Sequence, residues 1–378
     1  MQKKIIALAI AAAFSAPAFA EVQVYGLVDL AVAHVSADKQ QSDTQLVSGG
    51  LSTSRIGLKT ASDLGNGMKV VANLEYKIDG AASTALVSAR NQLLGVAGDF
   101  GTVAGGYLQT TAWDWQNSYD PTSGSTVSPL GNLESGGGML VGSTAAAARA
   151  SRALAYISPK MGGVTVALNY STALADSLGN LTLADTAKST KVNAYLMSVN
   201  YAEGPVAAGL VYAKMATASG EGEKKDMALG GSYDLGVAKL FATYQTSKTA
   251  GSSTPATAAH YVFNTTTGAS DLVAATSAVA AGPEVTNKAK SVSAVIPAGP
   301  GAVVVSYAKL SSDVADSGAS GETLGYLYTL SATETIYAAY SHMSQDLKAK
   351  AYSVDNNAVK GTANGSSSMI AVGLRKKF

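Results

Sequence analysis

Val22-Gln23-Val24-Tyr25-Gly26-Leu27-Val28-Asp29-Leu30-Ala31-Val32 is the stretch on which the fold class turns. Val22, Val24, Gly26, Val28, Leu30 and Val32 fall on one face, and Gln23, Tyr25 and Asp29 on the other. A period of two sustained over about ten residues marks a strand with one apolar face. Such a strand either faces lipid from the wall of a transmembrane barrel or belongs to a soluble β-sandwich, and the sequence on either side of it separates the two.

Upstream, residues 1–20 carry Lys3 and Lys4, an apolar run over 5–14, and then Ala18-Phe19-Ala20. That is the small-x-small pattern a signal peptidase cuts, so a cleaved signal peptide over 1–20 and a mature chain over 21–378 are expected. The apolar run is shorter than the roughly 20 residues a membrane-spanning helix needs, and no later segment supplies an uninterrupted one. Removing Lys3 and Lys4 from 27 basic residues leaves 25 against 26 acids, a formal net charge of −1. A near-neutral chain is no nucleic-acid binder by bulk charge. The chain has no cysteine, which excludes disulfides, Cys-ligated zinc and thiol nucleophiles, and an exported protein of this size then needs another source of stability, such as closure of its hydrogen-bond ladder.

Turns recur in a short-long order. Short ones read at Asp63-Leu64-Gly65-Asn66-Gly67, Gly98-Asp99-Phe100-Gly101, 158–163, Glu203-Gly204-Pro205, Asp234-Leu235-Gly236, 297–301 and 330–333. Each is rich in Gly, Pro or Asp, or small and polar, as tight hairpins require. Longer polar stretches lie between them at 36–53, 79–89, 109–148, 171–190, 215–222, 247–285, 311–321 and 343–366. Seven hairpins plus the two end segments predict sixteen antiparallel strands, with short turns at the periplasmic end, long loops at the extracellular end, and closure forced because an open edge in hydrocarbon would leave its N–H and C=O groups unpaired. The runs 259–263 and 271–274 inside the sixth long stretch could add a hairpin and make eighteen.

Several segments, in order along nearly the whole mature chain, resemble the trimeric general porins of Gram-negative bacteria, most closely the proteobacterial branch with shorter chains. They are Val24-Tyr25-Gly26-Leu27-Val28-Asp29, Ser54-Arg55-Ile56-Gly57-Leu58-Lys59, Asp63-Leu64-Gly65-Asn66-Gly67-Met68-Lys69, Phe100-Gly101-Thr102-Val103, Leu324-Gly325-Tyr326-Leu327-Tyr328-Thr329-Leu330-Ser331 and the terminal Val372-Gly373-Leu374-Arg375-Lys376-Lys377-Phe378. In that last strand Val372, Leu374, Lys376 and Phe378 share a face. An aromatic end suits the interfacial girdle, and Lys376 can snorkel to the headgroups. The resemblance further implies that Phe378 closes the signal read by the barrel-assembly machinery, that the chain is a homotrimer among outer-membrane lipid and lipopolysaccharide, and that the third long loop, 109–148, folds into the lumen.

Opposite such a loop the family sets inward-facing bases, and Arg55, Arg90 and Arg149 match by motif. Ile56 and Leu58 read as lipid-facing, so Arg55 and Lys59 read as lumenal, since a lipid-facing Arg at mid-depth would cost about 2–4 kcal/mol. Arg152 joins this set, and the loop contributes Asp114, Asp120 and Glu134. Acids facing bases across a narrow aqueous gap would create a transverse field that orients polar solutes. Trp113 and Trp115 offer a possible platform for a sugar or aromatic acid. One departure bears on anion preference, because Gly106-Tyr107 stands where many relatives carry Gly-Arg.

His34, His260 and His342 lie far apart and assemble neither a Ser-His-carboxylate arrangement nor a metal-binding pattern. The expectation is therefore a channel rather than an enzyme, with no cofactor: an outer-membrane porin passing small hydrophilic solutes and ions by passive diffusion. A substrate-selective channel of the same barrel class is the alternative, and a plugged adhesive barrel a third reading.

Overall fold

The computed structural model describes residues 22–378 apart from 83–87, 143–147, 174–192, 217–222, 252–259, 265–268, 274–281, 350–351 and 355–361. The expected signal peptide lies outside the described residues. Fifteen of the barrel strands are β1 (Gln23–Ala37), β3 (Arg55–Gly65), β4 (Met68–Lys77), β5 (Ser88–Gly98), β6 (Gly101–Gln109), β7 (Arg149–Ile157), β8 (Val164–Ala173), β9 (Ala194–Glu203), β10 (Val206–Ala216), β11 (Glu223–Asp234), β12 (Lys239–Thr249), β15 (Val285–Ala298), β16 (Gly301–Ser312), β17 (Ala319–Thr329) and β18 (Glu334–Gln345). The last is β19 (Ser366–Lys377), which pairs antiparallel with β18 and, across the seam, with β1. Because β1 also pairs with β3, the ladder closes on itself. All seven predicted short turns join consecutive strands.

One addition was not foreseen, and the possible extra hairpin forms outside the barrel wall. β2 (Asp43–Ser48) doubles back from the first long loop onto the upper half of β1, so the sheet holds seventeen strands while sixteen make the barrel. In the sixth loop, β13 (His260–Asn264) and β14 (Ala269–Val273) form a two-stranded sheet of their own, which keeps the barrel at sixteen rather than eighteen.

Alternation along the strands sets what each face meets. On β11, Met227, Leu229 and Tyr233 are exposed on the outer face, while Asp226, Ala228, Gly230 and Ser232 face inward. Outward apolar residues and inward small or polar ones are what a lipid-facing wall around an aqueous interior requires. No helix among the described residues is long and apolar enough to cross a membrane.

The best-buried apolar residues lie on the inner side, where the third long loop packs on the wall. This loop contains α1 (Thr111–Tyr119) and α2 (Pro129–Gly136), two helices the sequence reading left as loop. Each begins with a side-chain cap: Thr110 Oγ1 accepts from Trp113 N, and Ser128 Oγ accepts from Gly131 N with Pro129 in the first turn. Gly137 caps α2, and Gly138 follows at φ +60°, a left-handed conformation that glycine adopts without Cβ strain. Trp115, Tyr119, Leu140 and Val141 pack with Leu196, Val211 and Ala213 of β9 and β10; Leu130, Leu133 and Met139 pack with Leu310 and Met343 of β16 and β18.

Candidate functional site

The loop is fastened along one half of the lumen. Asn169 of β8 accepts from Thr111 N at 2.6 Å, and Thr111 meets Ser198 of β9. The Trp115 indole donates to Gly209 O of β10 at 2.9 Å, and Tyr119 donates to Asn200 at 3.3 Å. The wall accommodates both rings by lacking side chains there: a Cβ on Gly230 would stand 2.6 Å from Tyr119 Cγ and 2.8 Å from Trp115 Cζ2. Further along, Asp226 of β11 accepts from the backbone N–H groups of Leu140 and Val141, and Thr323 of β17 donates to Val127 O at 2.5 Å. The remaining half, formed by β1, β3, β4, β5, β7 and β19, carries the arginines, whereas Lys224 of β11 donates to Gly138 O on the loop side.

Those bases gather around one carboxylate. Glu75 of β4 accepts from Arg90 Nε at 2.8 Å, lies 3.6 Å from Arg55 Nε, and accepts from the Tyr25 hydroxyl at 3.0 Å. Arg149 reaches back with its Nε to Arg90 O at 2.6 Å, and its guanidinium lies 5.6 Å from the centre of the Trp113 ring. Lys59 sits 5.4 Å over the Tyr25 ring. Arg375 of β19 stands opposite Asp29 in the β1–β19 register and donates to Ser52 Oγ at 3.2 Å, within electrostatic reach of Arg55. The structure thus brings together Arg55, Arg90 and Arg149 in a row, with Lys59 beside Tyr25, and it adds Glu75 and Arg375, which the sequence reading did not place at the site. Alternation held a signal for Arg375, since Leu374 and Lys376 on either side of it belong to the opposite face.

Other expected residues sit elsewhere. Arg152 lies three residues after Arg149, a spacing that an unbroken strand places on the opposite face; it is exposed, at φ +49°, where the β6–β7 register shifts. Glu134 does not face the bases. It is fully buried and accepts from Gln116 of α1 and Gln245 of β12, each at 2.5 Å, so its carboxylate ties the two loop helices to the far wall. Asp120 is likewise buried, accepting from Thr122 N at 2.8 Å, Thr122 Oγ1 at 2.7 Å and Ser128 Oγ at 2.8 Å. Burial pushes its carboxyl up, against those hydrogen bonds. Trp115 is 0% exposed, which leaves no ring face for a solute; its indole N–H is taken by Gly209 O and its Cζ2 edge lies against Gly230. Trp113 is half-buried under Arg149.

Of the three loop acids only Asp114 is half-exposed on the side of the bases. It accepts from Gln109 and feels the Arg149 charge, but burial dominates and pushes its carboxyl up to about 6. The charge on this side of the lumen is therefore four guanidiniums and Lys59, with Lys77 opposite Arg55 on the same strand face, against Glu75, Asp29 and a weakly acidic Asp114. Asp29 is itself occupied, accepting from Leu51 N at 3.1 Å, Ser52 N at 2.9 Å and the Tyr337 hydroxyl at 2.6 Å. Gly106-Tyr107, at the departure from the family pattern, falls where the register shifts between Gly106 and Leu108. No group of three or more His, Cys, Asp or Glu suited to a metal occurs among the described residues.

The profile of the Gram-negative porin family matches residues 7–348. Outer membrane porin protein 32 of Delftia acidovorans is 34% identical over 257 residues, 66% of this chain and 70% of that protein. An outer membrane porin protein of Bordetella pertussis is 25% identical over 65% of this chain and 69% of its own length. Among solved structures, the anion-selective porin from Comamonas acidovorans superposes with a TM-score of 0.74 at 26% identity, covering 95% of this chain and all of that one. A closed sixteen-stranded wall, a third loop turned into its lumen and a family match across most of the sequence lead to one conclusion: this chain belongs to the Gram-negative porins and is a channel of the outer membrane.

Proposed function

We propose that the passage between the third loop and the β1–β7 wall is the constriction, and that it gives a general diffusion pore a moderate preference for small anions. The observation that carries this is the row Arg55, Arg90, Arg149 facing a loop whose acids Asp120 and Glu134 are turned into its own packing. With most loop acidity withdrawn, the excess positive charge is focused by low-dielectric walls onto the permeating solute. Glu75 moderates that preference by neutralising part of two guanidiniums. Lys59 and Arg375 extend the basic row along the wall.

Passive diffusion of small hydrophilic solutes and ions follows from the polar, charged lining of this passage. A substrate-selective channel is supported only by Trp113, whose half-exposed ring beside Arg149 is suited to an organic acid bearing an aromatic or sugar face. In our reading the mature chain lacks residues 1–20, assembles as a homotrimer, and is inserted by the barrel-assembly machinery through its Phe378 end. The Lys3-Lys4, apolar run and Ala18-Phe19-Ala20 pattern supports the first of these, and the family resemblance supports the other two.

Single-channel recording in planar bilayers tests the proposal. Triplet current steps are expected for the trimer, with a reversal potential shifted toward the anion in a salt gradient. Arg55→Ala or Arg90→Ala should reduce that shift, and the double variant should bring it close to zero. An unchanged reversal potential in the double variant would remove these residues from the constriction. Retardation of current by an aromatic acid, lost in Trp113→Ala, would favour the selective channel.

A further inference from the structure

Behind the third loop, on the side away from the arginines, α2 and the chain that follows it meet the inner faces of β11 and β12 in a layer crowded with oxygen. Glu134 anchors this layer, accepting from Gln116 Nε2 and Gln245 Nε2 at 2.5 Å each. The other ends of those two amides are left over. Gln116 Oε1 and Gln245 Oε1 belong to residues with 0% exposure and accept from no donor, and each is held one amide width from the Glu134 carboxylate. Asp226 Oδ1 and Ser247 Oγ are also buried without a hydrogen-bond partner; the two residues stand directly opposite each other in the β11–β12 register, and Gln245 lies two residues before Ser247 on the same face. The second Asp226 oxygen accepts from Leu140 N and Val141 N. The next residue, Gly142, lies so close to Glu134 that a Cβ there would collide with its carboxylate, so three residues of chain lead from one acid to the other.

Among the described residues eight buried side-chain atoms have no hydrogen-bond partner, and four of them fall in this one layer. Folded proteins pair nearly all such atoms, so a cluster of unpaired ones marks the place of a water or an ion. Charge separates the two. The Ser247 hydroxyl can donate one hydrogen and a water two, which would serve the oxygens as acceptors. Neither offsets the charge of Glu134 and Asp226, and burying carboxylates is costly unless positive charge is near. Lys224, two residues before Asp226 on the same face, gives its ammonium to Gly138 O and is placed to answer Asp226. Carboxylate, amide and hydroxyl oxygens with no sulfur or imidazole are the donor set of a hard cation. Ca²⁺ accepts about six to eight oxygens in flexible arrangements, whereas Mg²⁺ demands an octahedron.

We infer that this layer is a calcium site, with Gln116, Glu134, Asp226, Gln245 and Ser247 supplying oxygens and water completing the shell. Only two of the five are acids, so no acidic cluster marks the site in the sequence. The ion joins α1 and α2 to β11 and β12, and so pins the third loop to the wall opposite the arginines. The inference is independent of the constriction proposal, because none of the five residues belongs to the basic row.

The test is terbium(III) luminescence of the full-length protein, folded in detergent micelles free of native lipid and stripped with EGTA. Trp115 directly precedes Gln116 in α1, so its excitation can sensitise an ion bound there. Tryptophan-excited emission that Ca²⁺ displaces is expected, with a Ca²⁺ Kd of about 10⁻⁴–10⁻³ M, the range of extracellular sites. Asp226→Asn and Gln245→Leu should each weaken Ca²⁺ by roughly tenfold or more, since affinity follows the charge and number of the ligands. Glu75→Gln and Asp114→Asn change the acids on the arginine side and should leave the Ca²⁺ affinity as it is. Ser247→Ala removes one oxygen and little packing, so its several-fold loss decides the matter if the other two variants do not fold. Emission that Ca²⁺ does not displace, an unchanged Ca²⁺ affinity in a conducting Asp226→Asn or Ser247→Ala variant, or a loss confined to Glu75→Gln or Asp114→Asn would overturn the site.

Discussion

Glu75 holds two guanidiniums and one phenol at once, so a single carboxylate sets both the geometry and the net charge of the basic row. Glu75→Gln should keep the hydrogen-bonding shape while removing the charge, and the reversal potential should then move further toward the anion. A shift toward the cation would mean that Glu75 serves chiefly to aim the arginines. Asp114 adds a pH response. With its carboxyl pushed up to about 6 by burial, it is neutral below that pH and negative above it. Anion preference should therefore strengthen as pH falls from 7 to 5, and Asp114→Asn should abolish the change. The sign for stability is the same: folding favours the protonated form, so this contribution is complete below about pH 4 and is lost as pH rises through 6.

The third loop owes its position to features spread over many strands. Gly230→Val would drive a side chain into Tyr119 and Trp115. Overpacking of this kind costs about 1–3 kcal/mol, enough to unseat α1 while the barrel persists, so conductance should rise severalfold with heat-modifiable migration on gels unchanged. A conductance equal to that of the wild type would show that α1 tolerates the insertion. This docking is also where sequence reading stops. The strands, the turns and Arg55 were legible because alternation and Gly-rich hairpins are local signals. The partners of Glu134, by contrast, are 18 and 111 residues away in sequence, and nothing local distinguishes an acid that faces water from one that Gln116 and Gln245 enclose. The helices α1 and α2 escaped for a related reason: each is a short turn of chain held by its cap and by the wall it meets, with little apolar periodicity of its own.

For the molecule as a whole, closure is the property on which everything else depends. In the seam between β1 and β19, Ala33 stands opposite Ala371, and both are buried. Because the chain has no cysteine of its own, Ala33→Cys/Ala371→Cys can report on the seam cleanly. The register predicts ready oxidation to an intramolecular disulfide, and a loop of this length corresponds to about 6 kcal/mol in the chain-entropy account. The oxidised protein should resist the heat-induced gel shift that the reduced form shows. Intermolecular disulfides in place of this product would contradict the register.

Arg375 gives the seam a further meaning. It belongs to the last strand of the polypeptide, yet it stands beside residues of the first, opposite Asp29 and within reach of Arg55. The charged side of the passage is thus shared between the two ends of the chain, and no partly zipped sheet contains it whole. If the basic row is the constriction, a barrel caught before its final pairing could leak current with a weaker preference between ions than the finished one. Under that proposal full ionic preference would report on assembly, since it is complete only once the first and last strands have paired.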